Sequence, residues 1–142
     1  MQREEIKTFL PHREPMVLVD DVEMVGDQAI AHYHVKGDEF FLQGHFPGYP
    51  VVPGVIICEI MAQSCCILIR EELEKGCTPF YSGIDGARFK RQLRPGDTLT
   101  IEGRITNRRG QTFFVEAKST VEGQLCCKGN LIFTLVPKSN QQ

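Results

Sequence analysis

Hydrophobic and polar positions follow two different periods along this chain. Over residues 28–36, Ala29, Ala31, Tyr33 and Val35 alternate with Gln28, Ile30, His32 and His34, the period of a half-buried strand. Residues 16–25 read as its hairpin partner across the turn Gly26-Asp27. That stretch begins with the fully apolar Met16-Val17-Leu18-Val19 and passes into alternation of Val22 and Met24 with Asp21 and Glu23. Four further strands are predicted at 80–89, 98–107, 111–121 and 124–135, separated by the turn sequences Arg94-Pro95-Gly96-Asp97, Arg108-Arg109-Gly110 and Glu122-Gly123. A short helix fits 6–10, ahead of Pro11. The period changes over 53–74, where a long helix is predicted, with Pro53 in its first turn and Gly76 just past its end. Its first turns are apolar on nearly every side, so protein should surround it. The resulting class is α+β, with a curved antiparallel sheet of about six strands wrapping one helix.

Composition narrows this without changing it. At 142 residues and 42% hydrophobic, the chain suits one compact domain over 1–142, with a frayed polar tail at 138–142. A net charge of -2 gives no global attraction to nucleic acid. The charge is uneven, however. Residues 1–45 carry nine acids and four bases, whereas 85–110 carry seven bases and three acids, either a basic patch for an acidic partner or a solvated strand face. The six cysteines include no C-x-x-C, and the opening Met1-Gln2-Arg3-Glu4-Glu5 is not an apolar leader; reduced, mostly buried thiols are expected. No apolar run reaches the roughly 18 residues of a membrane span, and a cytoplasmic protein is expected. No cofactor or metal is expected either. His32 and His34 share a strand face, but two ligands do not make a site, and a solvent-facing strand edge accounts for them.

Candidate chemistry concentrates in Gln43-Gly44-His45-Phe46-Pro47-Gly48-Tyr49-Pro50-Val51-Val52-Pro53-Gly54 and the helix after it. Three prolines and three glycines between residues 44 and 54 favour one rigid loop shape. His45 within it is a candidate general base or a satisfied structural histidine. Glu59 falls in the apolar helix, as a catalytic acid or as a buried acid paired with an arginine or backbone donors. Burial there is expected to raise its pKa. Gln63, one turn on, can hydrogen-bond it. The helix start offers N–H groups at Gly54 and Val55 as oxyanion donors. A base, an acid and an oxyanion site suit proton abstraction next to a carbonyl.

These residues resemble a known family. Leu10-Pro11-His12-Arg13 with Val17-Leu18-Val19-Asp20, then Gly44-His45-Phe46-Pro47-Gly48 through Pro53-Gly54-Val55, Glu59 and Ala62-Gln63, then Gly83-Ile84-Asp85 with Ala87-Arg88-Phe89-Lys90-Arg91, are similar to the (3R)-hydroxyacyl-acyl-carrier-protein dehydratases of bacterial-type fatty acid synthesis. The resemblance implies a hotdog fold, no cofactor, and dehydration of a 3-hydroxyacyl thioester. It also implies His45 as the base at C2, Glu59 assisting departure of the C3 hydroxyl, and the Gly54 N–H polarising the thioester carbonyl. It further implies a homodimer with shared active sites, often assembled as a trimer of dimers, and an acidic acyl carrier protein as partner. Arg88, Lys90, Arg91 and Arg94 are candidates for carrier docking. Phe46, Phe80, Tyr81 and Phe89 are candidates for an acyl tunnel or for core filling. Asp21, Tyr49, Val52 and Gln92 depart from the family pattern without removing a catalytic group. His12 belongs to the opening motif but has no chemical role in this reading. Dehydration with isomerisation, a hotdog thioesterase and a non-catalytic acyl-binding domain are the alternatives.

Overall fold

In the computed structural model, residues 1–44 and 48–137 are described; His45, Phe46 and the polar tail fall outside this range. Elements follow in the order α1 (Arg3–Ile6), β1 (Asp21–Val25), β2 (Gln28–His34), α2 (Gly54–Ser64), α3 (Arg70–Glu74), β3 (Cys77–Phe89), β4 (Thr98–Arg109), β5 (Thr112–Val121) and β6 (Gln124–Pro137). A 3₁₀ segment, Cys65–Ile69, joins α2 to α3, so the helical path is continuous from Gly54 to Glu74. The six strands form one antiparallel sheet in the order β1-β2-β4-β5-β6-β3.

Side-chain alternation sets which face meets the helix. Ala29, Ala31 and Tyr33 of β2, Leu99 and Ile101 of β4, Phe113, Val115 and Ala117 of β5, and Leu131 and Phe133 of β6 are buried with Ile57, Ile60, Met61, Cys65 and Ile69 of the helical run. Gly103 lets the helix come close: a Cβ there would lie 2.4 Å from the Cys65 sulfur. The β5–β6 turn needs positive φ at both central residues, 50° at Glu122 and 79° at Gly123, the hairpin geometry that matches strand twist.

Several boundaries differ from the sequence expectation, each for a local reason. Residues 16–20 are not a strand: the Leu18 N–H donates to the Gln63 side-chain oxygen at 2.8 Å, and the Gln63 amide donates to the Met16 carbonyl at 2.7 Å. A buried side chain has replaced the ladder. The first helix spans Arg3–Ile6 and not 6–10, with 7–9 continuing as turns. β3 begins earlier than expected and includes Pro79, which an edge strand tolerates because one side of its backbone has no ladder partner. His32 and His34 do not lie on a sheet edge, since β2 runs between β1 and β4. His32 Nδ1 is 2.7 Å from Asp21 Oδ1, and His34 Nδ1 is 2.9 Å from Thr98 Oγ1. Finally, the helix is not enclosed on every side: Val55 is 76% exposed.

Candidate active site

Glu59 projects from the middle of α2 into a cavity of about 60 Å³, lined by His12, Ala62, Gln63, Cys66, Pro79, Tyr81 and Phe133. The N-terminal segment, the helical run, β3 and β6 therefore all contribute to one small space. Gln63 sits one turn beyond Glu59, and its amide donates to Glu59 Oε2 at 2.9 Å. The same amide nitrogen also donates to the Met16 carbonyl, and the side-chain oxygen accepts from the Leu18 N–H, so the orientation of Gln63 is fixed. His12 Nε2 lies 3.3 Å from the same carboxylate oxygen. Tyr81 packs its ring 5.7 Å from that of Phe133, and its hydroxyl is buried in the cavity wall.

The electrostatics reverse one sequence expectation. Burial does push the Glu59 carboxyl up, but hydrogen bonding from His12 and from Gln63, together with the charge His12 can carry, outweighs it and holds the group below its ordinary value. Glu59 at rest near neutral pH is therefore a carboxylate, not a partly protonated acid. The sequence showed the apolar helix around Glu59 and the Gln63 donor one turn on, but not the His12 donor that faces it. Around it, burial pushes the Tyr81 hydroxyl and the Cys66 thiol up, with the Glu59 charge adding to both.

His12 is the residue that sequence reasoning left without a role. Its signal was a histidine next to a proline, between a short helix and an apolar run, which does not reveal what lies across from it. Gly54 begins α2, and a Cβ on it would meet the Phe89 ring at 3.1 Å, so Phe89 covers the helix start. In the first turn the Ile56 N–H donates to the Pro53 carbonyl at 2.9 Å, while the Gly54 and Val55 N–H groups precede any helical acceptor. Of the aromatic tunnel candidates, Tyr81 borders the Glu59 cavity and Phe89 borders Gly54. Phe80 is 61% exposed and fills no core in this chain. Phe46 and His45 fall outside the described residues.

The four basic candidates differ in their surroundings. Arg88 and Lys90 are exposed and make no ion pair among the described residues. Arg91 is half-buried, 3.9 Å from Asp97. Arg94 stacks over Tyr49, 4.7 Å from the ring centroid, and donates to Tyr49 and to Gln92, while Val52 N–H bonds the Leu93 carbonyl. Two departures from the family pattern, Tyr49 and Gln92, are thus hydrogen-bonded to each other at 2.9 Å and clamp the far end of the Pro/Gly loop. Among the described residues no three His, Cys, Asp or Glu side chains gather as metal ligands, and all six cysteines are free.

A six-stranded antiparallel sheet curled round one helical run is the hotdog fold. The dehydratase heterocomplex ApeI:P from Xenorhabdus doucetiae superimposes with a TM-score of 0.80 at 20% identity, over 94% of this chain and 92% of that one. A hypothetical thioesterase from Streptococcus pneumoniae, solved with coenzyme A, matches at 0.61 and 16%, over 82% and 85%. These likenesses carry the fold. In sequence, a FabA-like domain matches residues 10–130. The 3-hydroxyacyl-[acyl-carrier-protein] dehydratase FabZ of Clostridium perfringens is 47% identical over 95% of this chain and 99% of its own, and that of Staphylococcus carnosus 46% identical over 92% of each. The chain belongs to the FabA-like dehydratase family, and is an enzyme of the hydro-lyase class.

Proposed function

We propose that this protein dehydrates 3-hydroxyacyl groups carried on acyl carrier protein to trans-2-enoyl groups, as a step of fatty acid biosynthesis. The observation that carries the reading is Glu59, a carboxylate fixed by two donors on a helix that starts at Gly54, in a chain 47% identical to named dehydratases. His45 takes the C2 proton, and the Gly54 N–H holds the charge that develops on the thioester oxygen. The C3–O bond then breaks, and the hydroxyl, oriented by the Glu59 carboxylate, leaves as water with the proton that His45 took from C2. The carboxylate is the form that His12 and Gln63 stabilise. Glu59 supports dehydration without isomerisation.

A homodimer with shared sites, assembled further as a trimer of dimers, is supported by exposed apolar groups. Phe80, Ile84 and Phe89 on edge strand β3 and Val55 on α2 are all exposed. Arg88 and Lys90 would steer the acidic carrier, with Arg91 and Arg94 contributing charge behind them. Phe46, Tyr81 and Phe89 would line the acyl path. Six free cysteines support a reducing compartment, the cytoplasm.

The test is to incubate the protein with 3-hydroxyacyl and trans-2-enoyl thioesters, following enoyl absorbance, water addition and free thiol. Wild type should interconvert the two without releasing thiol, and His45→Ala and Glu59→Gln should each lose about 10²–10⁴-fold in rate. Thiol release without interconversion would make it a thioesterase, and no reaction at all an acyl-binding protein.

A further inference from the structure

We propose that His12 is a positioning residue for Glu59, holding Oε2 together with Gln63 so that Oε1 is the oxygen presented to the substrate's C3 hydroxyl. This rests on the reading of Glu59 as the group that serves that hydroxyl. The geometry is one-sided. Gln63 Nε2 at 2.9 Å and His12 Nε2 at 3.3 Å both meet Oε2, and no described group engages Oε1. A carboxylate is acceptor-only, so His12 must present a proton on Nε2. Its Nδ1 is buried and has no partner among the described residues, so the ring's one described polar contact is to Glu59.

The backbone supports the aim of the ring. His12 follows Leu10, which is fully buried, and Pro11, and the Arg13 guanidinium is bonded to the Leu10, His12 and Lys7 carbonyls at 2.9, 2.6 and 3.2 Å. The loop that carries the imidazole is therefore tied down on both sides of it. Two donors on one oxygen have a chemical consequence. While Oε1 accepts from the departing hydroxyl, Oε2 is already met by fixed dipoles, so the carboxylate keeps its aim as the C3–O bond breaks and needs no reorganisation. Besides His12, the described titratable groups lining the cavity around the carboxylate are Cys66, about two turns along the helical run, and Tyr81 from β3. Burial keeps both in their neutral forms, leaving His12, among the described residues, as the one titratable group in the cavity that can carry positive charge toward Glu59.

The experiment compares His12→Leu, which removes the donor, His12→Asn, which is too short to reach, and His12→Gln, whose amide approximates the position of Nε2. Glu59 is followed by carbon NMR of glutamate-labelled protein, its signal assigned with Glu59→Gln, and the pH profile of turnover is measured beside it. Loss of the donor should move the Glu59 titration upward, move the acidic limb of the rate profile with it, and lower kcat by about ten- to a hundredfold with little change in KM. His12→Gln should restore most of each. A folded His12→Leu or His12→Asn protein with an unchanged Glu59 titration would overturn the inference. Wild-type turnover in Glu59→Gln would instead overturn the catalytic reading on which it rests.

Discussion

Two polar concavities in this molecule invite comparison. The larger, about 540 Å³, lies on the outer face of the sheet among Glu102, Arg104, Glu116, Lys118, Lys128 and Asn130. The smaller, about 60 Å³, lies against the helix around Glu59. On the outer face the charges answer one another across strands in water: Lys118 Nζ is 3.2 Å from Glu102 and Arg104 is 4.0 Å from Glu116, all of them substantially exposed. Around Glu59, by contrast, one carboxylate meets two donors with most water removed. Charge in a desolvated space with aimed partners can do chemistry; a larger, wetter groove with paired charges has nothing left to spend.

The sharpest way to break this contrast is to neutralise each region in turn. Glu59→Gln should cost about 10²–10⁴-fold in kcat, whereas Lys118→Ala with Lys128→Ala should leave kcat within about twofold, both measured on a short acyl thioester. Equal losses would mean that the outer groove belongs to the reaction. Next in size is Gln63→Leu. It leaves the Leu18 N–H and Met16 carbonyl without their partner, at about 1–3 kcal/mol for each buried group, and should lower the urea midpoint while also loosening Glu59.

A pH series sharpens the comparison further. The folded Glu59 pKa lies below the ordinary 4.5, so its contribution to stability is present above that value and is lost as pH falls through the folded value. The stability difference between wild type and Glu59→Gln should therefore shrink on acidification from pH 6 to pH 3, and a difference that grows would contradict the sign. The smallest effect belongs to the surface pair: Lys118→Ala should change unfolding free energy by no more than about 0.5 kcal/mol, and less in high salt.

Much of this protein could be read from local chemistry. The alternation of Ala29, Ala31 and Tyr33 against His32 and His34 determined which face of β2 is buried, because a strand cannot turn one side chain without turning them all. The turn at Glu122-Gly123 and the helix start at Pro53-Gly54 were legible for the same reason, since the backbone angles they need belong to few residue types. The pairing of Glu59 with Gln63 followed from helical spacing alone.

Contacts across long stretches of chain were decided by the tertiary structure. His12 and Glu59 are 47 positions apart, and no period in the sequence joins them. Their meeting helped turn an expected raised pKa into a lowered one, because burial and the Gln63 donor can be judged from neighbours in sequence while a donor 47 positions away cannot. The same limit hid the use of Gln63 by Met16 and Leu18, which took residues 16–20 out of the sheet despite their strand-like pattern. Sequence determined what each segment could form and which acid stood on the helix. The fold alone determined which groups would face that acid, since hydrogen bonding depends on distance in space and not on position along the chain.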